Sequence, residues 1–200
     1  ANDMTPKELL KTSNFYKLWL MLAFSSSAGL MIIGHAANIA RTQVKWEGGF
    51  LLVVLLALCN TLGRVRGGAV SDKIGLINTL RIIFALQAVN MLLFNFYESV
   101  ALLAVGVAVA GLSYGAIFSV YPAITSDLYG LKNLGANYGI IFTSYGAGGM
   151  IGPMVAAAVF DALGSYDIAY LIACLLLVIS VVITFTFQTS RKKADVLVAK

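Results

Sequence analysis

Apolar residues along the chain fall into six long runs rather than short alternating segments. The runs cover approximately residues 15–39, 50–70, 79–97, 100–121, 137–160 and 166–187. Each is close to the roughly 20 residues with which an α-helix crosses about 30 Å of hydrocarbon. The pattern therefore predicts an all-α membrane protein with six transmembrane helices and short connections.

Polar segments flank these runs at both ends of the chain. We divide it into a cytoplasmic linker at 1–14, a transmembrane region at 15–187 and a basic cytoplasmic tail at 188–200. In the linker, Thr5, Pro6 and Glu8 form a helix-start pattern with a capping box and proline at the first helical position. Leu9 and Leu10 are expected to lay this short helix on the membrane surface.

Composition excludes a water-soluble domain. Hydrophobic residues make up 60% of the chain, charged residues 12%, and mean hydropathy is +0.87. A soluble domain carries about 25% charged residues. The formal net charge of +5 is attributed to membrane topology rather than to nucleic-acid binding, because the basic residues lie at the ends of apolar runs. Cys59 and Cys174 lie inside apolar runs and are interpreted as packing residues.

Basic residues near the ends of the predicted helices are distributed asymmetrically. Ten lie on one side and two, Arg41 and Lys45, on the other. Because Lys and Arg are enriched in cytoplasmic segments, both termini are predicted to be cytoplasmic, in the plasma membrane (the inner membrane of a bacterial cell). The ten are Lys7, Lys11, Lys17, Lys73, Arg81, Lys132, Arg191, Lys192, Lys193 and Lys200.

Arg64 lies within the second predicted helix, among apolar and small residues. A cation there costs about 2.5–3.5 kcal/mol on insertion scales, and no acidic residue lies deep in a predicted helix. A bound anion would stabilise it; the alternative is a side chain that reaches the cytoplasmic surface. Asn60, one turn earlier, either shares that ligand or orients the guanidinium, or makes a hydrogen bond between helices.

Other candidate residues have both a functional and a packing interpretation. Tyr114 and Phe118 are one turn apart in the fourth run, and Tyr145 is midway along the fifth. They either line a binding site or pack the bundle. His35 in the first run is either a proton carrier near neutral pH or a packing residue.

Glycines crowd the fifth run around Pro153. Gly148 and Gly152 are one turn apart, a spacing that lets helices approach closely, and proline kinks membrane helices. The segment is therefore either a helix that bends during transport or a tight packing contact.

A short motif follows the second run. Gly68, Asp72, Lys73 and Gly75 have the spacing Gly-x-x-x-Asp-Lys-x-Gly, which resembles the signature loop of the major facilitator superfamily. That motif continues with two basic residues, where this chain has Leu76 and Ile77. The resemblance implies a gating role for this loop. The Gly152-Pro153 pair also resembles an element of the superfamily.

Several motifs in order narrow the resemblance to the carboxy-terminal half of the oxalate:formate antiporter and monocarboxylate transporter branch. They are Lys7-Glu8-Leu9-Leu10 through Phe15 and Leu18-Trp19, Ser71 to Gly75, Ser126 to Gly130, and Asn137-Tyr138-Gly139. The resemblance implies six helices built as a 3+3 inverted repeat, with an amino-terminal six-helix half in the same or a separate chain. It also implies that Arg64 binds substrate carboxylate, beside Asn60, with Tyr114 and Phe118 as walls.

Two differences from that branch refine the expectation. The oxalate antiporter has a second cation where this chain has Tyr145, which favours monocarboxylates such as lactate, formate or acetate over oxalate. Animal proton-coupled carriers have an acid where this chain has Asn60, so any coupled proton would come from His35 or the other half.

The sequence thus predicts secondary active transport of small organic anions by alternating access, as an antiporter or symporter, with no cofactor or metal. The alternative is a non-transporting scaffold or sensor of the same fold. An enzyme is not expected, because the chain has no paired carboxylates, no His-x-x-x-His set and no Ser–His pairing.

Overall fold

The computed structural model describes residues 3–187, so the predicted basic tail at 188–200 lies outside the described residues. Within that range the chain is helical, and six helices are long and apolar enough to cross a membrane. This confirms the predicted all-α architecture of six membrane helices. The elements are α1 Pro6–Leu9, α2 Ser13–Gln43, α3 Phe50–Ile74, α4 Leu76–Phe94, α5 Val100–Tyr129, α6 Leu134–Leu163 and α7 Asp167–Phe185.

Several helices extend beyond the apolar runs. The helix α3 continues to Ile74, so the predicted loop at Gly68, Asp72 and Lys73 is helical, and Gly75 alone separates α3 from α4. Gly75 has φ of +88°, a conformation that glycine adopts readily. The helix α5 also passes through Pro122, which membrane helices tolerate because neighbouring groups satisfy the freed backbone.

The amino-terminal segment docks onto the turn between α5 and α6. The Met4 amide donates to the Tyr129 carbonyl at 2.9 Å, and the Met4 carbonyl accepts from the side-chain amides of Asn133 and Asn137. In α1, the Glu8 carboxylate accepts from the Thr5 amide at 2.7 Å, as the capping box predicts.

Leu9 does not lie on the membrane surface as expected. Its side chain is fully buried, whereas Leu10 is exposed. The hydrogen bonds at Met4 hold the segment against the bundle, which turns Leu9 into its interior. Leu9 consequently belongs to the hydrophobic core.

The six long helices pack in three main pairs, α2 with α6, α3 with α5, and α4 with α7. Exchanging α2, α3 and α4 for α5, α6 and α7 leaves this set of pairs unchanged. The pairing therefore has the symmetry of the predicted 3+3 repeat. We call the end of the bundle with the start of α2 and the end of α7 the terminal end, and the other the opposite end.

Glycines bring α3 and α5 together almost backbone to backbone. A side chain at Gly115 of α5 would collide with the Asn60 carbonyl, and one at Gly63 of α3 would collide with the Leu112 carbonyl. Small residues one turn apart permit such contacts in membranes, where dispersion forces replace the hydrophobic effect between helices. The contact fixes the height and rotation of α3 on α5.

The helices α2 and α6 meet in the same way. Gly148 and Gly152 lie against the α2 backbone at Ala23 and Ser27, with no room for side chains. These contacts support the interpretation of both glycines as packing residues rather than as a bending point. The helix α6 is continuous through Pro153, and bending there during transport stays a prediction.

A polar clamp joins three helices at the opposite end. The Gln43 side-chain amide donates to the Phe94 carbonyl at 2.6 Å and to the Tyr97 carbonyl at 3.0 Å, and its oxygen accepts from the Tyr170 hydroxyl at 3.0 Å. Gln43 thereby satisfies the last carbonyl of α4 and one in the turn that follows it. The clamp holds α2, α4 and α7 together.

We expect Gly115→Val to destabilise the protein by about 1–3 kcal/mol, the usual cost of overpacking, because its side chain must push α5 away from the α3 backbone. The measurement is thermal unfolding in detergent, followed by size-exclusion chromatography. Gly139→Val is the matched control, because a side chain at Gly139 would meet no group of another element within 4 Å. Equal melting temperatures for the two variants would contradict the close contact.

Candidate functional site

The site begins on α3, which is attached to the bundle by a narrow stripe. Its buried residues recur every three or four positions, and Asn60 and Arg64 lie one turn apart beside that stripe. The Arg64 Nε donates to the Asn60 side-chain oxygen at 3.2 Å. The Arg64 guanidinium lies over the Phe118 ring of α5, 4.7 Å from its centroid. The stripe consists of Leu52, Leu56, Cys59, Gly63, Gly67 and Ser71.

The position of Arg64 along α3 separates it from both ends of the bundle. At 1.5 Å per residue it lies roughly 21 Å along the helix from Phe50 and roughly 15 Å from Ile74. Its bond to Asn60 draws the side chain away from the terminal end. The Arg64 head group is therefore held near mid-helix on the exposed side of α3, rather than directed to the predicted cytoplasmic surface.

The positive charge of Arg64 has no acidic partner among residues 3–187, where the single ion pair is Arg41 with Glu47. Phe118 contributes an attraction between cation and ring, worth about 0.5–2 kcal/mol according to solvation. Only Nε is hydrogen-bonded within the described part of the chain. Both terminal nitrogens remain free for the bidentate contact that guanidinium makes with carboxylates.

Aromatic side chains of α5 and α6 form a cluster next to this cation. Tyr114 meets Phe118 edge to face at 5.1 Å between centroids, and Tyr145 lies 5.5 Å from Phe118. Phe142 stacks on Tyr145 at 4.9 Å, and Tyr138 follows at 5.4 Å from Phe142. The structure thus brings Tyr114, Phe118 and Tyr145 together beside Arg64. We call the five rings, Tyr114, Phe118, Tyr138, Phe142 and Tyr145, the aromatic cluster.

Two members of the aromatic cluster, Tyr138 and Phe142, were not predicted from the sequence. They precede Tyr145 by seven and three residues respectively, which places all three on one face of a helix. That periodicity was a usable signal, but only the contact with α5 distinguishes it from a lipid-facing stripe.

His35 belongs to a different group of side chains. Its Nδ1 lies 3.1 Å from the Met31 carbonyl of its own helix, and its ring is 5.5 Å from that of Tyr166. The Tyr166 hydroxyl accepts from Asn38 at 2.6 Å. These contacts place His35 toward the opposite end, outside the aromatic cluster, and its role in proton coupling stays a prediction.

The motif residues lie at the terminal end of α3 and do not contact the aromatic cluster. Asp72 and Lys73 are exposed, and Gly68 has no neighbouring group within 4 Å. Leu76 and Ile77, in place of two basic residues, pack against the hydrophobic core. A gating role for Gly68, Asp72, Lys73 and Gly75 stays a prediction.

Arg81, the next basic residue after the motif, connects two helices. Its Nε donates to the Thr184 hydroxyl at 3.0 Å, and its guanidinium lies 4.0 Å from the centroid of the Phe185 ring. Another of its nitrogens donates to the Asn78 side chain. Arg81 therefore fastens α4 to the end of α7.

Comparison with known proteins agrees with this architecture. The sequence profile of the Major Facilitator Superfamily matches residues 7–199. The chain is 28% identical over 131 residues to the oxalate:formate antiporter of Oxalobacter formigenes. It is 27% identical over 131 residues to YhjX of Escherichia coli K12, an uncharacterized MFS-type transporter.

These similarities have a limited extent. The matched stretch is 64% of this chain, but only 31% and 32% of the two relatives. The match to the superfamily profile covers nearly the whole chain and confirms the resemblance seen in the motifs. The chain therefore belongs to the major facilitator superfamily of membrane transporters.

Proposed function

We propose that this chain forms one half of a secondary active transporter for small monocarboxylates such as lactate, formate or acetate. The observation that carries the proposal is Arg64. Its guanidinium is held near mid-helix by Asn60 and Phe118, has no acidic partner among residues 3–187, and keeps two nitrogens free. A substrate carboxylate would complete this arrangement with two parallel charge-assisted hydrogen bonds.

One cation favours substrates with one carboxylate. The aromatic cluster places the neutral side chain of Tyr145 beside Phe118, where the resemblance to the oxalate antiporter implies a second cation. A second ionised carboxylate would enter a site of low polarity without an opposite charge, which is costly. Monocarboxylates are therefore favoured over oxalate.

Alternating access requires a second six-helix half. The helices α3 and α6 bury a smaller share of their residues than α2 and α5 do, so they present large uncovered faces. In transporters of two repeated halves, substrate binds near the membrane midplane between them. Arg64 lies on α3 and Tyr145 on α6, and Phe118 of α5 contacts both of them.

Removing the Arg64 charge should abolish transport. In proteoliposomes that contain the intact carrier, we expect Arg64→Ala to reduce carboxylate exchange at least about 30-fold, the equivalent of losing a charge pair worth about 2 kcal/mol or more. Arg64→Lys should restore only part of it, because an ammonium group lacks the planar fork.

Arg66→Ala is the matched control. Arg66 is two residues further along α3, so it points about 200° around the helix axis from Arg64, and its loss should leave exchange within about twofold of wild type. Normal exchange by Arg64→Ala would contradict the site. A folded wild-type carrier that moves no carboxylate would instead favour the non-transporting scaffold or sensor.

The distribution of basic residues supports cytoplasmic termini in the plasma membrane, and cysteine labelling tests that orientation. In a background of Cys59→Ser and Cys174→Ser, Ala162→Cys at the opposite end should react with a membrane-impermeant maleimide on intact cells. Lys132→Cys, in the turn between α5 and α6, should react only after permeabilisation. Both positions are exposed. Reversed labelling would contradict the orientation.

A further inference from the structure

Two basic residues converge on the terminal end of α7 from two neighbouring helices. Arg81 of α4 donates from Nε to the Thr184 hydroxyl at 3.0 Å and from a terminal nitrogen to the Thr184 carbonyl at 3.3 Å. Lys17 of α2 donates to the Thr186 carbonyl at 3.0 Å. Two positive charges are thereby held around the last turn of α7.

Neither charge has an acidic partner in the described part of the chain. Arg81 and Lys17 donate only to hydroxyl, amide and carbonyl oxygens, and the single ion pair among residues 3–187 is Arg41 with Glu47. The carbonyls at the end of a helix carry about half a negative charge in total, which offsets only part of two positive charges. Both head groups also keep N–H donors for a further acceptor, so an anion would be stabilised here.

These cations lie at the level where the apolar layer ends. Arg81 is about 7.5 Å along α4 from its first residue, and Lys17 is about 6 Å along α2 from its first residue. Each also lies over an aromatic ring: the Arg81 guanidinium is 4.0 Å from the centroid of Phe185, and the Lys17 ammonium is 5.3 Å from that of Phe187. Phe185 is 65% exposed, so its ring extends from the bundle beside the cation.

An uncovered apolar surface leads away from Arg81 across the membrane. On α4 and on α7, which pack against each other, exposed apolar residues recur every three or four positions and form a stripe along each helix. The α7 stripe is about 21 Å long, which exceeds the roughly 15 Å depth of one leaflet. We call the two stripes the α4–α7 face. It consists of Ile82, Leu86, Val89 and Leu93 of α4 and Leu171, Leu175, Val178, Val182 and Phe185 of α7.

The combination of charge and apolar surface selects one kind of ligand. A soluble anion would use the two cations but not the α4–α7 face, whereas an uncharged lipid would use the face but not the cations. An anionic phospholipid uses both, and basic groups between transmembrane helices bind anionic headgroups in this manner. The second half of the carrier is expected against α3 and α6, which leaves the α4–α7 face to lipid.

We propose that the terminal end of α7 is a binding site for an anionic phospholipid. Arg81 and Lys17 hold its phosphate, and its acyl chains lie along the α4–α7 face. A lipid bound there links α2, α4 and α7 at their terminal ends. The site is separate from Arg64 and the aromatic cluster, so the inference does not depend on the proposed transport of carboxylates.

Native mass spectrometry of the intact carrier in detergent tests the proposal. The carrier is titrated with phosphatidylglycerol or with phosphatidylcholine of the same acyl chains, which has the same phosphodiester but no net charge. We expect wild type to bind phosphatidylglycerol at least about 10-fold more tightly. Glycerol 3-phosphate, which has a phosphate but no acyl chains, should not displace it, and displacement at equal concentration would identify a soluble anion as the ligand and overturn the proposal.

Variants of the two cations separate charge from structural bonding. A basic residue at an anionic headgroup is worth about fivefold in affinity, so Lys17→Gln should weaken phosphatidylglycerol by about that factor. Lys17→Gln combined with Arg81→Gln should bring its affinity to within about twofold of that for phosphatidylcholine. Arg81→Lys keeps the charge but loses the guanidinium bonds to α7, and should stay within about threefold of wild type.

Lys132→Gln is the matched control, because it removes one exposed charge at the same end of the bundle, in the turn between α5 and α6. It should leave the affinity for phosphatidylglycerol within about twofold of wild type. Equal affinity of wild type for the two lipids overturns the proposal, as does equal weakening by Lys132→Gln and Lys17→Gln, which is the effect of diffuse charge. If the double variant does not fold, Lys17→Gln decides the test, because it removes a single hydrogen bond.

Discussion

The close contact of α3 with α5 is the constraint on which the site depends. Gly63 and Gly115 allow the two backbones to touch, so neither helix can rotate about its axis without a steric collision. That fixed rotation places Arg64 over the Phe118 ring. A bulkier residue at either glycine would push the two helices apart and weaken the contact between the cation and the ring. Packing between small residues thus determines the electrostatics of the site.

Close contacts and hydrogen bonds also join the other helices of the bundle. The pairs α2 with α6 and α3 with α5 are joined through glycines, while Gln43 and Arg81 tie α4 and α7 into the bundle at its two ends. Backbone contacts and buried hydrogen bonds favour movement of the unit as a body. That property suits a carrier in which one half rocks against another.

Features of the fold and the site that depend on neighbouring residues in the sequence could be predicted more accurately than those that depend on contacts between distant residues. Run length predicted the six helices, because membrane thickness sets helix length. The ends of the helices were predicted less accurately. Asp72 and Lys73 were assigned to a polar loop, but a helix can leave the apolar layer without ending, and α3 continues as far as Gly75. Arg64, Tyr114, Phe118 and Tyr145 lie together, and their role in substrate binding stays a prediction.

Other features depend on contacts between distant parts of the chain. The burial of Leu9 follows from hydrogen bonds between Met4 and the α5–α6 turn, which no local pattern indicates. The unpartnered hydroxyl of Ser26 distinguishes it from Ser25 and Ser27, although the three are alike in sequence. Such differences arise from side-chain orientation within the packed bundle rather than from residue type.

Solid-state NMR of the intact carrier tests the central claim most directly. With guanidinium nitrogens labelled with ¹⁵N and a bound carboxylate labelled with ¹³C, their dipolar coupling reports the separation of the two groups. The account predicts a distance of about 4 Å or less, as a bidentate contact requires, and loss of the coupling in Arg64→Lys. Saturating carboxylate without such a coupling, or a coupling that persists in that variant, would contradict it.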